Sequence, residues 1–80
     1  MDWQKHIEQR PDVMMGKAVI KGTRLTVELI LERLGNGAPP EELLDSYPQL
    51  RSEHIQAAQA YAAAYLALDK TVWEDATAAP

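Results

Sequence analysis

The apolar positions divide the chain in two. From Val27 to Leu34 the residues Val27, Ile30, Leu31 and Leu34 stand at i, i+3, i+4 and i+7, with Glu28, Glu32 and Arg33 opposite them. That spacing predicts an amphipathic helix. Thr26 is its natural N-cap, and Gly35 and Gly37 are placed to end it in the left-handed region. A second, short helix is predicted from Pro40 to about Ser46. Proline fits the first helical position, Glu41 and Glu42 meet the positive end of the helix dipole, and Leu43, Leu44 and Tyr47 supply the buried side. Pro48 forbids continuation. A third helix is predicted from about Ser52 to Asp69. Ile55, Ala58, Ala62, Tyr65 and Leu66 form one apolar stripe, and Ala57, Tyr61, Ala64 and Leu68 form a second beside it. Together the stripes cover about 200° of arc, roughly twice what one small core needs.

Residues 3–25 show no helical period. The runs Trp3–Ile7 and Val13–Met15 are broken at Pro11, and the β-prone Ala18-Val19-Ile20 is flanked by Gly16 and Gly22. Glycine on both sides of so short a strand calls for turns with positive φ, so this region reads as one or two short β-hairpins. From Lys70 onward the composition turns to Thr, Ala, Glu, Asp and Pro. The expected organisation is one domain over residues 1–69 and an acidic tail over 70–80, anchored by Val72 and Trp73.

At 80 residues the chain is one small domain with a thin core. It has no cysteine, which removes the disulfide, the thiolate zinc site and the thiol nucleophile together. Helix packing and association with another chain are what remain to strengthen it. The double stripe of the third helix fits association, with a homodimer or higher oligomer meeting on Ala57, Tyr61, Ala64 and Leu68. Alanine is also simply the best helix former. No apolar run in the first fifteen residues suits a secretion signal, and none reaches the ~20 residues of a membrane span, so the expected location is the cytoplasm.

The net charge of −4 conceals an asymmetry. Residues 1–24 set five cations against three carboxylates, a net +2; residues 25–80 set three against nine, a net −6. Val13 to Arg24 holds Lys17, Lys21 and Arg24 and no anion. This is the first place to look for phosphate contact, although cations on an edge strand also discourage aggregation.

Catalytic chemistry finds no support. His6 and His54 stand far apart in the sequence, on different elements, and neither has a ligand-spaced motif, so no metal is expected. The serines lack a nucleophile elbow, the glycines match no phosphate loop, and Glu41, Glu42 and Asp45 are explained as helix-dipole partners. The chain reads as a non-enzyme without a cofactor. Its informative constellation is geometric: a short helix, a turn over Tyr47–Arg51 and a longer helix, preceded by a first helix, make a three-helix helix-turn-helix arrangement. Arg51, Ser52 and Gln56 begin the third helix on its polar side, where Gln can read adenine and Arg guanine or phosphate. A ribbon-helix-helix dimer using Ala18–Arg24 is the competing geometry, disfavoured by the break at Pro48.

The run Gly16-Lys17-Ala18-Val19-Ile20-Lys21-Gly22-Thr23-Arg24-Leu25-Thr26-Val27 carries a resemblance. It is followed by Leu34-Gly35-Asn36-Gly37, Glu41-Glu42-Leu43-Leu44, Tyr47-Pro48, Leu50, Glu53, Ile55 and Ala57-Ala58. Over about residues 3–68 this resembles the family called domain of unknown function 433. The resemblance implies a mainly α, homeodomain-like helix-turn-helix fold with short N-terminal β-hairpin segments. It also implies a role like that of VapB-type antitoxins: DNA binding, regulation of the protein's own promoter and neutralisation of a PIN-like toxin. The alternative is a protein–protein interaction module without DNA binding, which the net −6 over the helical part favours. The chain departs from the family pattern at Pro39 and Arg51, where capping hydroxyls are usual, and at His54, where an acid is common. A lost cap costs about 1 kcal/mol, and Ser52 is placed to cap the third helix one residue later. Gly22, Thr23 and Arg24 are expected either to lock the hairpin onto the helices or, for Arg24 with Lys17 and Lys21, to grip phosphate.

Overall fold

Val19 and Ile20 expose none of their surface, and the N-terminal third is wrapped around them. The computed structural model describes residues 1–68; the tail residues Val72 and Trp73, assigned above to a partner interface, lie outside them. Strand β1 is Ile7–Glu8 and strand β2 is Val19–Ile20, antiparallel with Ile7 opposite Ile20 and Glu8 opposite Val19. On its other side β2 meets the chain entering the first helix: Val19 bridges Thr26, the Ile20 N–H donates to the Leu25 carbonyl at 2.9 Å, and the Val27 N–H donates to Ala18 at 2.9 Å. A single hairpin is therefore present, extended by a third extended segment. Trp3–Lys5 and Met14–Gly16, expected as strand-like, are single turns of 310 helix. Met14 and Met15 both take left-handed backbone, at φ 48° and 56°.

The turn from β2 to the helices is wired by one side chain. The Thr23 hydroxyl donates to the Ile20 carbonyl at 2.8 Å and accepts from the Leu25 N–H at 3.0 Å. Gly22 takes a φ of +77°, which suits glycine, and its N–H donates to the Glu8 carboxylate at 3.0 Å.

Helix α1 spans Val27–Gly35, α2 Pro40–Ser46 and α3 Ser52–Leu66. The fold is mainly α, a three-helix helix-turn-helix with a short N-terminal hairpin. Thr26 caps α1 by accepting the Leu29 N–H at 3.0 Å. Gly35 remains helical, and the reversal falls at Gly37, φ +97°. There the Gly37 N–H donates to Leu34 and the Ala38 N–H to Arg33, the two bonds of a Schellman motif. Ile7, Ile20, Leu25, Val27, Ile30, Leu43, Leu50, Ile55, Ala57 and Ala58 form the core. Trp3 packs edge-on against Tyr61 with ring centres 5.0 Å apart, which ties the first 310 turn to α3.

One expected interface residue is corrected by this packing. Ala57 has no exposed surface and belongs to the core. Tyr61 is half-buried against Trp3. Ala64 and Leu68, the other two, are exposed. The division of α3 runs along the helix and not around it: both stripes are used up to Tyr61, and both are free beyond Ala62.

Thr23→Val keeps the shape and removes both hydroxyl bonds. It should cost about 1–3 kcal/mol in urea-unfolding free energy, while Thr23→Ser, which keeps the hydroxyl, should cost less. Equal losses for the two variants would show that the hydroxyl contributes nothing.

Candidate functional site

The start of α3 presents Ser52, Gln56 and Gln59 at i, i+4 and i+7, on one face and all exposed. Arg51 occupies the N-cap position, but an arginine side chain has no acceptor atom and cannot serve the helix N–H groups. Ser52 is already the first helical residue and makes no capping bond, contrary to expectation. The cap comes from His54 instead, whose Nδ1 accepts the Arg51 N–H at 3.0 Å. This is the returning half of a capping box, with imidazole in place of the usual Glu or Gln.

His54 also meets His6, their ring centres 5.6 Å apart at 73°. Local spacing separates the two histidines; the fold joins them because His6 ends the Trp3–Lys5 turn, which packs on α3 through Trp3 and Tyr61. Burial holds the His54 pKa below the ordinary histidine range, and the positive charges of Arg51 and His6 add to the effect against Glu53. The Nδ1 lone pair that caps α3 exists only on the neutral ring. Among the described residues no group of three or more His, Cys, Asp or Glu is arranged to hold a metal.

The cations separate into paired and unpaired. Lys17 does not stand free of anions as its sequence neighbourhood suggests. Its Nζ bonds the Glu28 carboxylate of α1 at 2.8 Å, and this hydrogen bond, with the opposite charge, raises the Lys17 pKa and lowers that of Glu28. Arg51 lies 3.3 Å from Glu53, and Arg10 lies 3.8 Å from Asp12. Lys21 and Arg24 are exposed and make no salt bridge among the described residues. Arg24, with Gly22 and Thr23, shares an open groove of about 560 Å³ with Gln49 of the α2–α3 turn and with Glu8 and Arg10. Arg24 thus shares a groove with the turn that leads into α3, the Lys21 N–H bonds the carbonyl of His6 beside His54 of α3, and Lys17 is left on the α1 side. Gln49 and Arg10 carry no local signal for this groove.

A second, apolar groove of about 630 Å³ separates α1 from the far half of α3. Ala18, Val27 and Leu31 lie on one side and Tyr61, Tyr65 and Leu66 on the other, with Lys17, Glu28 and Glu32 also lining it. No helix among the described residues is long and apolar enough to cross a membrane.

The family described as protein of unknown function (DUF433) matches residues 7–62. The uncharacterized protein y4eO of Sinorhizobium fredii (strain NBRC 101917 / NGR234) is 33% identical over 58 residues, which cover 72% of this chain and 26% of that protein. The crystal structure of a DUF433 member protein from Anabaena variabilis ATCC 29413, at 2.00 Å resolution, is 40% identical. It matches with a TM-score of 0.69 over 72% of this chain and 57% of that one. The chain spans about a quarter of the curated relative's length and little more than half of the solved one.

Because the folded chain holds the His54 pKa down, the unfolded chain takes up that proton first as pH falls. This contribution to stability is complete above the ordinary histidine pKa of about 6.5 and is lost as pH falls through the depressed folded value. Melting temperature should therefore drop between pH 7.5 and 5.5. His54→Gln keeps an acceptor for the Arg51 N–H and cannot titrate, so its melting temperature should change less over the same interval. Parallel curves for the two proteins would remove His54 as the cause.

Proposed function

The chain belongs to the DUF433 family, and from that premise we propose that it is a DNA-binding regulator of antitoxin type. In this reading it is cytoplasmic, has no catalytic activity or cofactor, acts as a homodimer on its own promoter and neutralises a PIN-like toxin. One observation carries the DNA-binding part. The exposed Ser52, Gln56 and Gln59 face of α3 follows the turn whose Gln49 shares a groove with Arg24, and Lys21 and Arg24 make no salt bridge among the described residues. Glutamine matches the adenine edge in a major groove, and unpaired cations beside the reading helix grip phosphate and fix its register.

A specific observation favours a second reading, an interaction module without DNA binding. In a helix-turn-helix the helix before the turn crosses the DNA backbone. Here that helix, α2, exposes Glu41, Glu42 and Asp45, which repel phosphate.

We assign the toxin contact to the tail, residues 70–80, which lies outside the described residues. There Val72 and Trp73 are followed by Glu74 and Asp75, an apolar pair beside two carboxylates that suits a basic partner.

Fluorescence anisotropy against the protein's own upstream DNA at several salt concentrations separates the two readings. Gln56→Ala should cost about 1–3 kcal/mol on the operator and blunt discrimination between sequences. Lys21→Ala should weaken all sequences alike and lower the salt slope by about one for every phosphate that a chain no longer neutralises. Lys17→Ala should change little, since its charge is committed to Glu28. Absence of binding at low salt, with and without the partner, would leave the interaction module standing.

Trp73→Ala should leave the melting temperature unchanged but weaken binding to a PIN-like protein encoded beside this one, read by calorimetry. Unchanged affinity would move the partner contact onto the helices.

A further inference from the structure

Beyond Tyr61, α3 continues past its last aromatic contact with the core. Tyr65 and Leu66 are each 66% exposed and Leu68 is 80% exposed, beside the apolar groove whose other side is α1. Exposed apolar side chains grouped beside an apolar groove are suited to being covered by another apolar surface. We propose that this groove is the contact between two copies of the chain, each placing the Tyr65–Leu66 turn of its α3 into the groove of the other. The proposal rests on the dimer of the reading above and names its surface; it requires neither DNA nor toxin.

Charge selects a second copy as the occupant. Near a two-fold axis each residue faces its own copy, so any charge there meets its like. From Ile55 through Leu68, α3 and its last turn carry no charged residue. The other helices do not share that property: α2 exposes Glu41, Glu42 and Asp45, and two copies meeting on it would set carboxylate against carboxylate. Around the groove Lys17 is already neutralised by Glu28 at 2.8 Å, which leaves Glu32 as the one charge lining it without an ion pair among the described residues. A basic partner would find little to bind there, whereas a neutral helix end fits. Tyr65 and Leu66 both belong to α3 and line the groove, so each copy carries the apolar turn to be inserted and part of the wall that receives its partner's. Gln56 lies ten residues before Leu66, about 15 Å along the helix axis, so the contact leaves the polar start of α3 free in both copies.

Sedimentation velocity over the micromolar range, on the full chain without DNA or partner, should show a dimer. Leu66→Glu and Tyr65→Glu should raise its dissociation constant about thirtyfold or more, the size of a hot-spot loss. The helical circular dichroism should stay unchanged, because both side chains are exposed in one copy alone. The chain has no cysteine, so Leu66→Cys introduces a unique thiol. Oxidation should cross-link it into a covalent dimer, and Glu41→Cys should not cross-link; this second readout holds if a glutamate variant fails to fold. Trp73→Ser should leave the dimer intact. A wild-type chain that stays monomeric overturns the proposal together with the dimer part of the wider reading. A dimer that survives Leu66→Glu and does not cross-link at position 66 overturns this surface alone. Loss of the dimer with Trp73→Ser assigns the groove to the tail and overturns it as well.

Discussion

The backbone of β2 is hydrogen-bonded on both sides, to β1 and to the segment that enters α1, and its two side chains have no exposed surface. In a cysteine-free chain of 80 residues this double pairing replaces a covalent staple. Five residues after Ile20 the chain is already back beside β2, and the Thr23 hydroxyl closes the reversal by bonding both of its limbs. The position of everything else follows. Helix α1 starts from the bonded segment, so its buried face is aimed at Ile20. The first 310 turn hangs from β1 and reaches α3 through Trp3 and Tyr61. Lys21 and Arg24 flank the same closed turn, so its rigidity fixes where those two charges stand.

Local spacing makes the helices legible and leaves their partners invisible. The i, i+3, i+4, i+7 pattern locates α1, and proline, the glutamates and Pro48 bound α2 at the residues where it begins and ends. By spacing alone, the arc of α3 reads as two parallel faces serving two interfaces. Periodicity reports which residues share a side of a helix and says nothing of how far along the helix the core extends. That limit is set by Trp3, more than fifty residues away in sequence. The same blindness to distance accounts for Lys17, whose anion Glu28 comes from α1, and for His6 and His54, brought together as the first 310 turn packs on α3. The α3 cap escapes a sequence reading for a different reason: histidine is not among the residues expected to return the N-cap bond, and only the direction of its Nδ1 reveals it. What is legible of the candidate site is the polar start of α3, because Ser52 and Gln56 are exposed by the helix's own geometry. Which cations accompany it is not, because pairing depends on tertiary contacts.

The pairing pattern bears on function more strongly than net charge does. Counting charges makes the helical part acidic and DNA an improbable ligand, yet electrostatic attraction acts at the distance of a Debye length, about 8 Å at physiological salt. Over that range what matters is which charges are free near the contact. Lys17, Arg51 and Arg10 each have a carboxylate within 4 Å, while among the described residues Lys21 and Arg24 do not. If the protein binds DNA, the acidic α2 would weaken non-specific attraction and make binding depend on the contacts at the start of α3.

Helix α3 thus combines three environments in 15 residues. Its first turn is polar and capped by an imidazole, the stretch from Ile55 to Tyr61 anchors it in the core, and its last turns are apolar and uncharged. A helix of this length is about 22 Å long, which separates its two ends by more than the reach of any one side chain. The ends can therefore meet different partners without competing, and the buried middle holds them in fixed relation. In a two-fold dimer joined through the far ends, the near ends point away from the axis on opposite sides. The spacing between two reading heads is then set by the length of α3 and by how closely its alanine-rich end approaches its copy. Alanine at 60, 62, 63, 64 and 67 allows that approach to be close.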